Sequence, residues 1–379
     1  MKELAIFGST GSIGCSTLNV VRRHRDRFAV SILAAGRNLQ RLIEQIREFN
    51  PRHVYIIGEK DAAVLKALFP GLDIYRGEDG MDKVSRLTDF DIGVSALVGV
   101  AGLRPTWNMI NNGKTVALAN KEVLVAGGRL VMEAARKQGA ALLTVDSEHS
   151  AIMQCLRGES HGEIERILLT ASGGPFFDRE ITDGITPEEA LRHPTWKMGP
   201  KITIDSATMM NKGFEIIEAR WLFDVSVERV QVVIHRQSIV HSMVEFKDGS
   251  IMANIAPPDM ELPIAYALSY PERMEMPQRL DIFAMKALEF KAPDEEKFPC
   301  LRLAKEAARA GHGAQVVLNA ANEALVARFL AGGLRFTDIP RGVEEMLRQH
   351  TPGEPGSIDE VLALDEETRH RTEEWMKTR

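Results

Sequence analysis

The strongest constraint on the fold lies in the first 145 residues, where short apolar runs alternate with amphipathic segments: LAIFG, TLNVVRRH, FAVSILAAG, LQRLIEQIREF, HVYIIG. Strands alternating with helices at this spacing predict βαβ units around a parallel sheet. DIGVSAL (91–97) and KTVALAN (114–120) read as two further strands. The pattern changes over 146–270. RILLTASGG and PKITIDSA are strand-like runs ending in polar clusters, and VHSMVEFKDGSIMANI reads as a hairpin turning at Lys247-Asp248-Gly249. Beyond a proline-bearing linker, 271–299, helical periodicity dominates LRLAKEAARAG, AQVVLNAANEALVARFLAGG and SIDEVLALDEETRHRTEEW.

A chain of 379 residues exceeds one ordinary core, so two or three domains are expected. A net charge of -6 and the lack of any long basic run argue against a nucleic-acid surface. A locally positive pocket for a small anionic metabolite remains open. The 3 cysteines, Cys15, Cys155 and Cys300, form no CxxC motif and suit a reducing cytosol. MKELAIF runs straight into the first apolar strand, so no signal or transit peptide is expected. No apolar run approaches the roughly 18 residues of a membrane span.

In AIFGSTGSIGCSTLNVV, Gly8, Gly11 and Gly14 fall between a strand and a helix. Glycines there allow a tight turn, and the helix N-terminus offers N–H groups to a pyrophosphate. The end of the second strand reads AAGRN, where NAD-binding chains usually carry an acidic residue. Arg37 and Asn38 instead favour NADPH over NADH.

TVDSEHSAI places Asp146 and Glu148 two positions apart. In extended backbone they share a face and need a proton, a cation or basic side chains to neutralise them. Thr186-Pro187-Glu188-Glu189 reads as a capped helix start that stops near His193, before Pro194. For the loop PTWKMGP, with Trp196 and Met198, composition favours packing on a core over closing on a ligand. After KITID, read as a strand, Glu215 and Glu218 project from an amphipathic helix, with Ser206, Asn211 and Lys212 just upstream. Those donor types, and the turn Ser172-Gly173-Gly174, suit a phosphate. Asp146, Glu148 and Glu215 would make an all-oxygen site for Mg²⁺ or Mn²⁺. The histidines, among them His149, His193, His235 and His241, lack zinc-site spacing. A plain NADPH-dependent dehydrogenase without isomerisation, or a non-catalytic nucleotide sensor, stays open at this point.

GSTGSIG, AAGRN, ALANKE, VDSEHSA, TASGGPF, HPTWKMG and DSATMMNKGFEIIEA, in this order, resemble the 1-deoxy-D-xylulose 5-phosphate reductoisomerase family over essentially the full length. The resemblance implies a Rossmann-like N-terminal domain (1–145), an α/β catalytic domain with a flap loop (146–270) and a helical C-terminal domain (300–379). It implies NADPH bound by Thr10, Gly11, Ser12, Ile13, Gly36, Arg37, Asn38, Asn120, Glu122 and Gly199. Asp146, Glu148 and Glu215 are implied as metal ligands. Ser172, Ser206, Asn211 and Lys212, with His193, are implied at the substrate phosphate and backbone, Lys121 and Ser147 at its hydroxyls. Trp196 and Met198 become the tips of the flap, against the packed-loop reading. The implied reaction is a rearrangement and reduction of a phosphorylated sugar by a cytoplasmic homodimer.

Overall fold

Four strands of the N-terminal half are almost wholly apolar and buried on both faces, which a parallel sheet covered by helices requires. The computed structural model describes every residue from 1 to 379 except Lys286, Pro352 and Arg379. One compact unit comprises Met1–Val123, Val131–Ser150 and Asp259–Pro277. Its strands are β1 (Lys2–Phe7), β2 (Phe28–Ala35), β3 (His53–Ile56), β4 (Asp73–Arg76), β5 (Ile92–Ser95), β6 (Thr115–Leu118) and β7 (Leu142–Thr144). They pair in parallel throughout, in the order β4-β3-β2-β1-β5-β6-β7. Chain order reverses between β1 and β5, and ligands of open α/β sheets bind outside the strand ends at such a reversal. Helix Glu261–Ser269 joins this unit late in the chain, through Arg23 and Asn19, both bonded to the Glu261 carboxylate.

The second unit comprises Leu124–Leu130, Ala151–Pro258 and Gln278–Arg379, of which Lys286, Pro352 and Arg379 stand outside the description. Its sheet contains β8 (Ile164–Ala171), β9 (Val230–Ile234), β10 (Val240–Phe246) and β11 (Ile251–Ile255), in the order β11-β10-β8-β9. The expected hairpin is β10–β11. It turns through Gly249 at φ +84, with Asp248 accepting from the Ser250 N–H and hydroxyl. Helices Met210–Phe223, Pro299–Ala310, His312–Leu330, Asp338–Gln349 and Ile358–Met376 bury their apolar stripes with the sheet, and the C-terminal part is helical as expected.

PKITIDSA departs from expectation: it is the helix Pro200–Ala207, not a strand. Ile202 and Ile204 alternate with polar residues, which mimics a strand. Gly199 as N-cap and Pro200 at the first helical position start a helix instead. Asp205 is then buried, taking Lys201 Nζ at 2.8 Å and Asn322 Nδ2 at 2.7 Å. The capped start at Thr186 is present, with the Thr186–Glu189 reciprocal bonds, but its helix ends at Ala190. Among the described residues no helix is long and apolar enough to cross a membrane.

Candidate active site

The loop leaving β1 sits where the sheet order reverses. Gly8 has φ +97, and a Cβ there would collide with the Ala96 carbonyl just after β5. A Cβ on Gly14 would collide with the Gly8 carbonyl. Backbone thus packs on backbone, which only glycine permits. Helix Ser12–Arg23 begins at Gly11 with no side-chain cap and no acidic residue in its first turn, so its leading N–H groups suit an anion. Thr10, Gly11, Ser12 and Ile13 are all at least partly exposed there. At the end of β2, Gly36 is half-buried and Arg37 and Asn38 are exposed. Asn38 caps helix Leu39–Phe49 by accepting from the Arg41 N–H, and the Arg41 guanidinium donates to the Thr10 carbonyl at 3.2 Å. Asn120 is buried as a clamp: Nδ2 donates to the Leu97 and Gly99 carbonyls, and Oδ1 accepts from Val123 N–H. Glu122 is buried in the first turn of the following helix.

Glu148 does not lie in extended backbone. Helix Ser147–Cys155 begins immediately after Asp146, whose Oδ1 accepts from the N–H groups of Glu148 and His149, as a carboxylate at a helix start does. The premise that Asp146 and Glu148 share a strand face is therefore wrong. Basic groups nevertheless neutralise Asp146: Lys121 Nζ lies against Oδ2, and the fully buried His149 donates Nδ1–H to Oδ1 at 3.0 Å. Burial pushes the Asp146 carboxyl up, but Lys121 and His149 outweigh it and hold it well below the usual carboxylate range. The Ser147 hydroxyl donates to Glu148 at 2.6 Å.

The second unit carries the donor cluster. The turn after β8 puts Gly173 and Gly174 at φ +78 and +64. A Cβ on Gly174 would stand 2.6 Å from the Ser206 carbonyl, so the Ser172 turn and helix Pro200–Ala207 touch. Arg236 braces this turn from outside, donating to the Ser172 and Gly174 carbonyls at 2.9 and 2.6 Å. His193 Nδ1 accepts from Thr195 and Trp196 N–H, so the ring proton sits on Nε2 and is donated to Ser172 Oγ at 2.9 Å. Met209, at φ +64, turns the chain into helix Met210–Phe223. There Asn211 donates to Glu215 Oε1 at 2.7 Å and the buried Lys212 ammonium lies against Oε2. Trp196 and Met198 are half-buried in the loop that ends at Gly199, the indole centroid 6.3 Å from that of His241.

Most of the expected residues thus gather within their own unit: Thr10 to Ile13 with Gly36 to Asn38, Lys121 with Asp146, and Ser172 with His193 and Ser206. Three contributors escaped the reading of the sequence. Arg236 carries no local signal. His149 follows a helix-start aspartate by three residues, and Arg41 puts a cation in a helix's first turn; both signals were available.

Profiles of 1-deoxy-D-xylulose 5-phosphate reductoisomerase match residues 4–128 and, for its C-terminal domain, 142–223; the DXP reductoisomerase C-terminal domain matches 255–371. The chain is 52% identical over 370 residues to the 1-deoxy-D-xylulose 5-phosphate reductoisomerase of Prosthecochloris aestuarii, covering 96% of this chain and 97% of that one. It is 48% identical over 374 residues to the Shouchella clausii protein of the same name, covering 97% and 99%. A crystal structure of DOX-P reductoisomerase in complex with NADPH, fosmidomycin and magnesium superposes with a TM-score of 0.95 at 40% identity, covering 100% of this chain and 98% of that one. The Zymomonas mobilis structure in complex with NADPH gives 0.93 at 42% identity, with 100% of both chains covered. The chain belongs to the 1-deoxy-D-xylulose 5-phosphate reductoisomerase family.

Proposed function

We infer that the chain performs its family's reaction, the NADPH- and divalent-metal-dependent rearrangement and reduction of 1-deoxy-D-xylulose 5-phosphate to 2-C-methyl-D-erythritol 4-phosphate in non-mevalonate isoprenoid synthesis. The observation that carries it is family membership over nearly the whole chain with every expected chemical group retained.

The residues present fit both cofactors. A cradle that Cβ atoms on Gly8 and Gly14 would fill, followed by an uncapped helix start, suits a pyrophosphate. Asp146, Glu148 and Glu215 offer only carboxylate oxygens, the donors a hard cation prefers. The ion pairs of Lys121 with Asp146 and of Lys212 with Glu215 support this reading, since both carboxylates already draw positive charge. When bound there, a divalent cation supplies Lewis-acid stabilisation to the substrate's oxygens.

The chain's own side chains do the positioning. Ser172 Oγ accepts from His193 Nε2–H and from Gly174 N–H, which leaves its hydroxyl proton to be donated to a phosphate oxygen. Ser206, Asn211 and Lys212 add donors, and Lys121 and Ser147 serve the sugar hydroxyls. Phosphate binding remote from the reacting carbons can drive closure of the Trp196–Met198 loop and exclude water. The family's homodimer and a cytoplasmic location belong to the same reading, on membership alone.

The test is NADPH oxidation with 1-deoxy-D-xylulose 5-phosphate, with Mg²⁺ or Mn²⁺ and with a chelator. Metal-dependent oxidation yielding the branched methylerythritol phosphate is expected. Oxidation that survives the chelator would sink the carboxylate site and leave a plain dehydrogenase.

A further inference from the structure

The turn that leaves β8 is fastened from one side by Arg236, two residues beyond the end of the neighbouring strand β9. One guanidinium nitrogen, Nη1, donates to the Ser172 carbonyl at 2.9 Å and to the Gly174 carbonyl at 2.6 Å. The Ser172–Gly173 peptide is trans, and in a trans peptide the N–H points opposite to the C=O. Holding the Ser172 carbonyl therefore turns the Gly173 N–H to the side of the turn away from Arg236. Gly173 is buried, and its N–H donates to no acceptor among the described residues. Folded chains rarely leave a buried N–H in that state. A neutral side chain could fasten the same carbonyls, so the charge of the guanidinium needs its own account. Its loose carboxylate partner, Asp178, is exposed and stands 3.6 Å from Nε. Lys297 Nζ donates to the Phe177 carbonyl at 2.7 Å, and Lys291 Nζ lies 5.7 Å from the Phe177 ring centroid. That ring packs on Gly173, where a Cβ would stand 3.0 Å from it. Three cations thus back this one turn on a chain of net charge -6. A cation on a peptide carbonyl polarises the peptide and makes its N–H a stronger donor.

We propose that Arg236 is a positioning residue for the substrate phosphate: it fixes and polarises the Ser172–Gly173 peptide so that the Gly173 N–H, beside the Ser172 hydroxyl, meets a phosphate oxygen. This rests on the family reading above. Arg236 reaches the turn through its carbonyls, so it acts on the phosphate through the peptide and has no part in the chemical step. Its effect therefore belongs to substrate affinity. The charge matters as well as the hydrogen bonds, because a phosphate carries up to two negative charges and a polarised N–H is worth most against a charged acceptor.

The experiment compares the wild-type chain with Arg236→Met, Arg236→Lys and Arg236→Gln, following melting temperatures in parallel. It measures KM and kcat for 1-deoxy-D-xylulose 5-phosphate at saturating NADPH and Mg²⁺, and the dissociation constants of inorganic phosphate and of NADPH by calorimetry. Arg236→Met should raise KM and the phosphate constant together by about tenfold, the scale of a lost charge-assisted contact, with kcat within about threefold and NADPH binding unchanged. Arg236→Lys keeps the cation and should recover most of the loss. Arg236→Gln keeps a donor without the charge and should behave like Arg236→Met. Should Arg236→Met melt too early to assay, the difference between Arg236→Lys and Arg236→Gln decides alone. Equal recovery by those two variants would reduce Arg236 to a brace and overturn the proposal. Phosphate binding unchanged in Arg236→Met, or a kcat that falls as far as KM rises, overturns it too. A wild-type chain without turnover would sink the family reaction instead, and the inorganic phosphate constants would then decide the role of Arg236 by themselves.

Discussion

At the scale of single residues, the glycines of the nucleotide mouth divide into two kinds that sequence cannot separate. Gly8 is required by its backbone, since φ +97 and the Ala96 carbonyl both exclude a side chain. Gly36 meets nothing within 4 Å of where a Cβ would stand. Gly8→Ala should therefore lower unfolding free energy by about 2–4 kcal/mol, combining backbone strain with overpacking. Gly36→Ala should leave stability within about 0.5 kcal/mol and, if NADPH packs on that bare surface, weaken NADPH alone. Denaturant titration of both variants decides it, and equal losses would sink the distinction. Glu215→Gln separates chemistry from binding in the same way. Turnover should fall by about 100-fold or more, the scale of a removed electrostatic stabiliser, with NADPH affinity unchanged. Normal turnover in that variant would remove Glu215 from the metal set. The features legible beforehand were those whose signal is local, such as the glycine turn of GSTGSIG between β1 and its helix. Arg236 was not, because its role is to hold carbonyls of a distant turn.

At the scale of elements, alternation proved reliable where both faces of a sheet are buried and unreliable where a helix is short. FAVSILAA and VHSMVEF are strands as expected, because runs of β-branched and large apolar residues suit no other packing there. KITID fails because five residues cannot distinguish a period of two from 3.6 when only two apolar side chains are present. Gly199-Pro200 decides the outcome locally and the buried Asp205 decides it tertiarily, since its carboxylate needs Lys201 one helical turn away and Asn322 from helix His312–Leu330. VDSEHSA was misjudged for a related reason. Its two carboxylates drew attention to their spacing, while the aspartate's place before a helix was the stronger signal. Asp205→Ala leaves the half-buried Lys201 without this carboxylate and the buried Asn322 amide without its acceptor, and should cost about 1–3 kcal/mol. Asp205→Asn, which retains the shape and an acceptor, should cost less. Thermal unfolding of the two variants measures this, and an equal or smaller loss for alanine would show that the network does not hold the helix.

At the scale of the whole molecule, each unit carries depressed carboxylates, so acid should act on both. Burial raises the carboxyl of Asp89, but Arg52 and His53 outweigh it and hold it below its ordinary value. Burial raises Asp338 likewise, and Arg335 and Arg341 bring it down. A carboxylate depressed in the folded state binds fewer protons than when unfolded. Its contribution is therefore complete above the unfolded value of about 4 and disappears as pH falls through the lower folded value. His350 acts in an earlier window. Its imidazole is lowered from the ordinary 6.5 by burial and then by Arg371, so the unfolded chain takes up its proton first and stability declines as pH falls below about 6.5. Urea midpoints should accordingly be flat from pH 8 to 7, decline slightly between about 6.5 and 5, and fall steeply below about 4. His350→Gln should remove the shallow decline and leave the steep one. Midpoints that hold steady between pH 4 and 3 would show that the pairs at Asp89 and Asp338 contribute nothing that acid can take away.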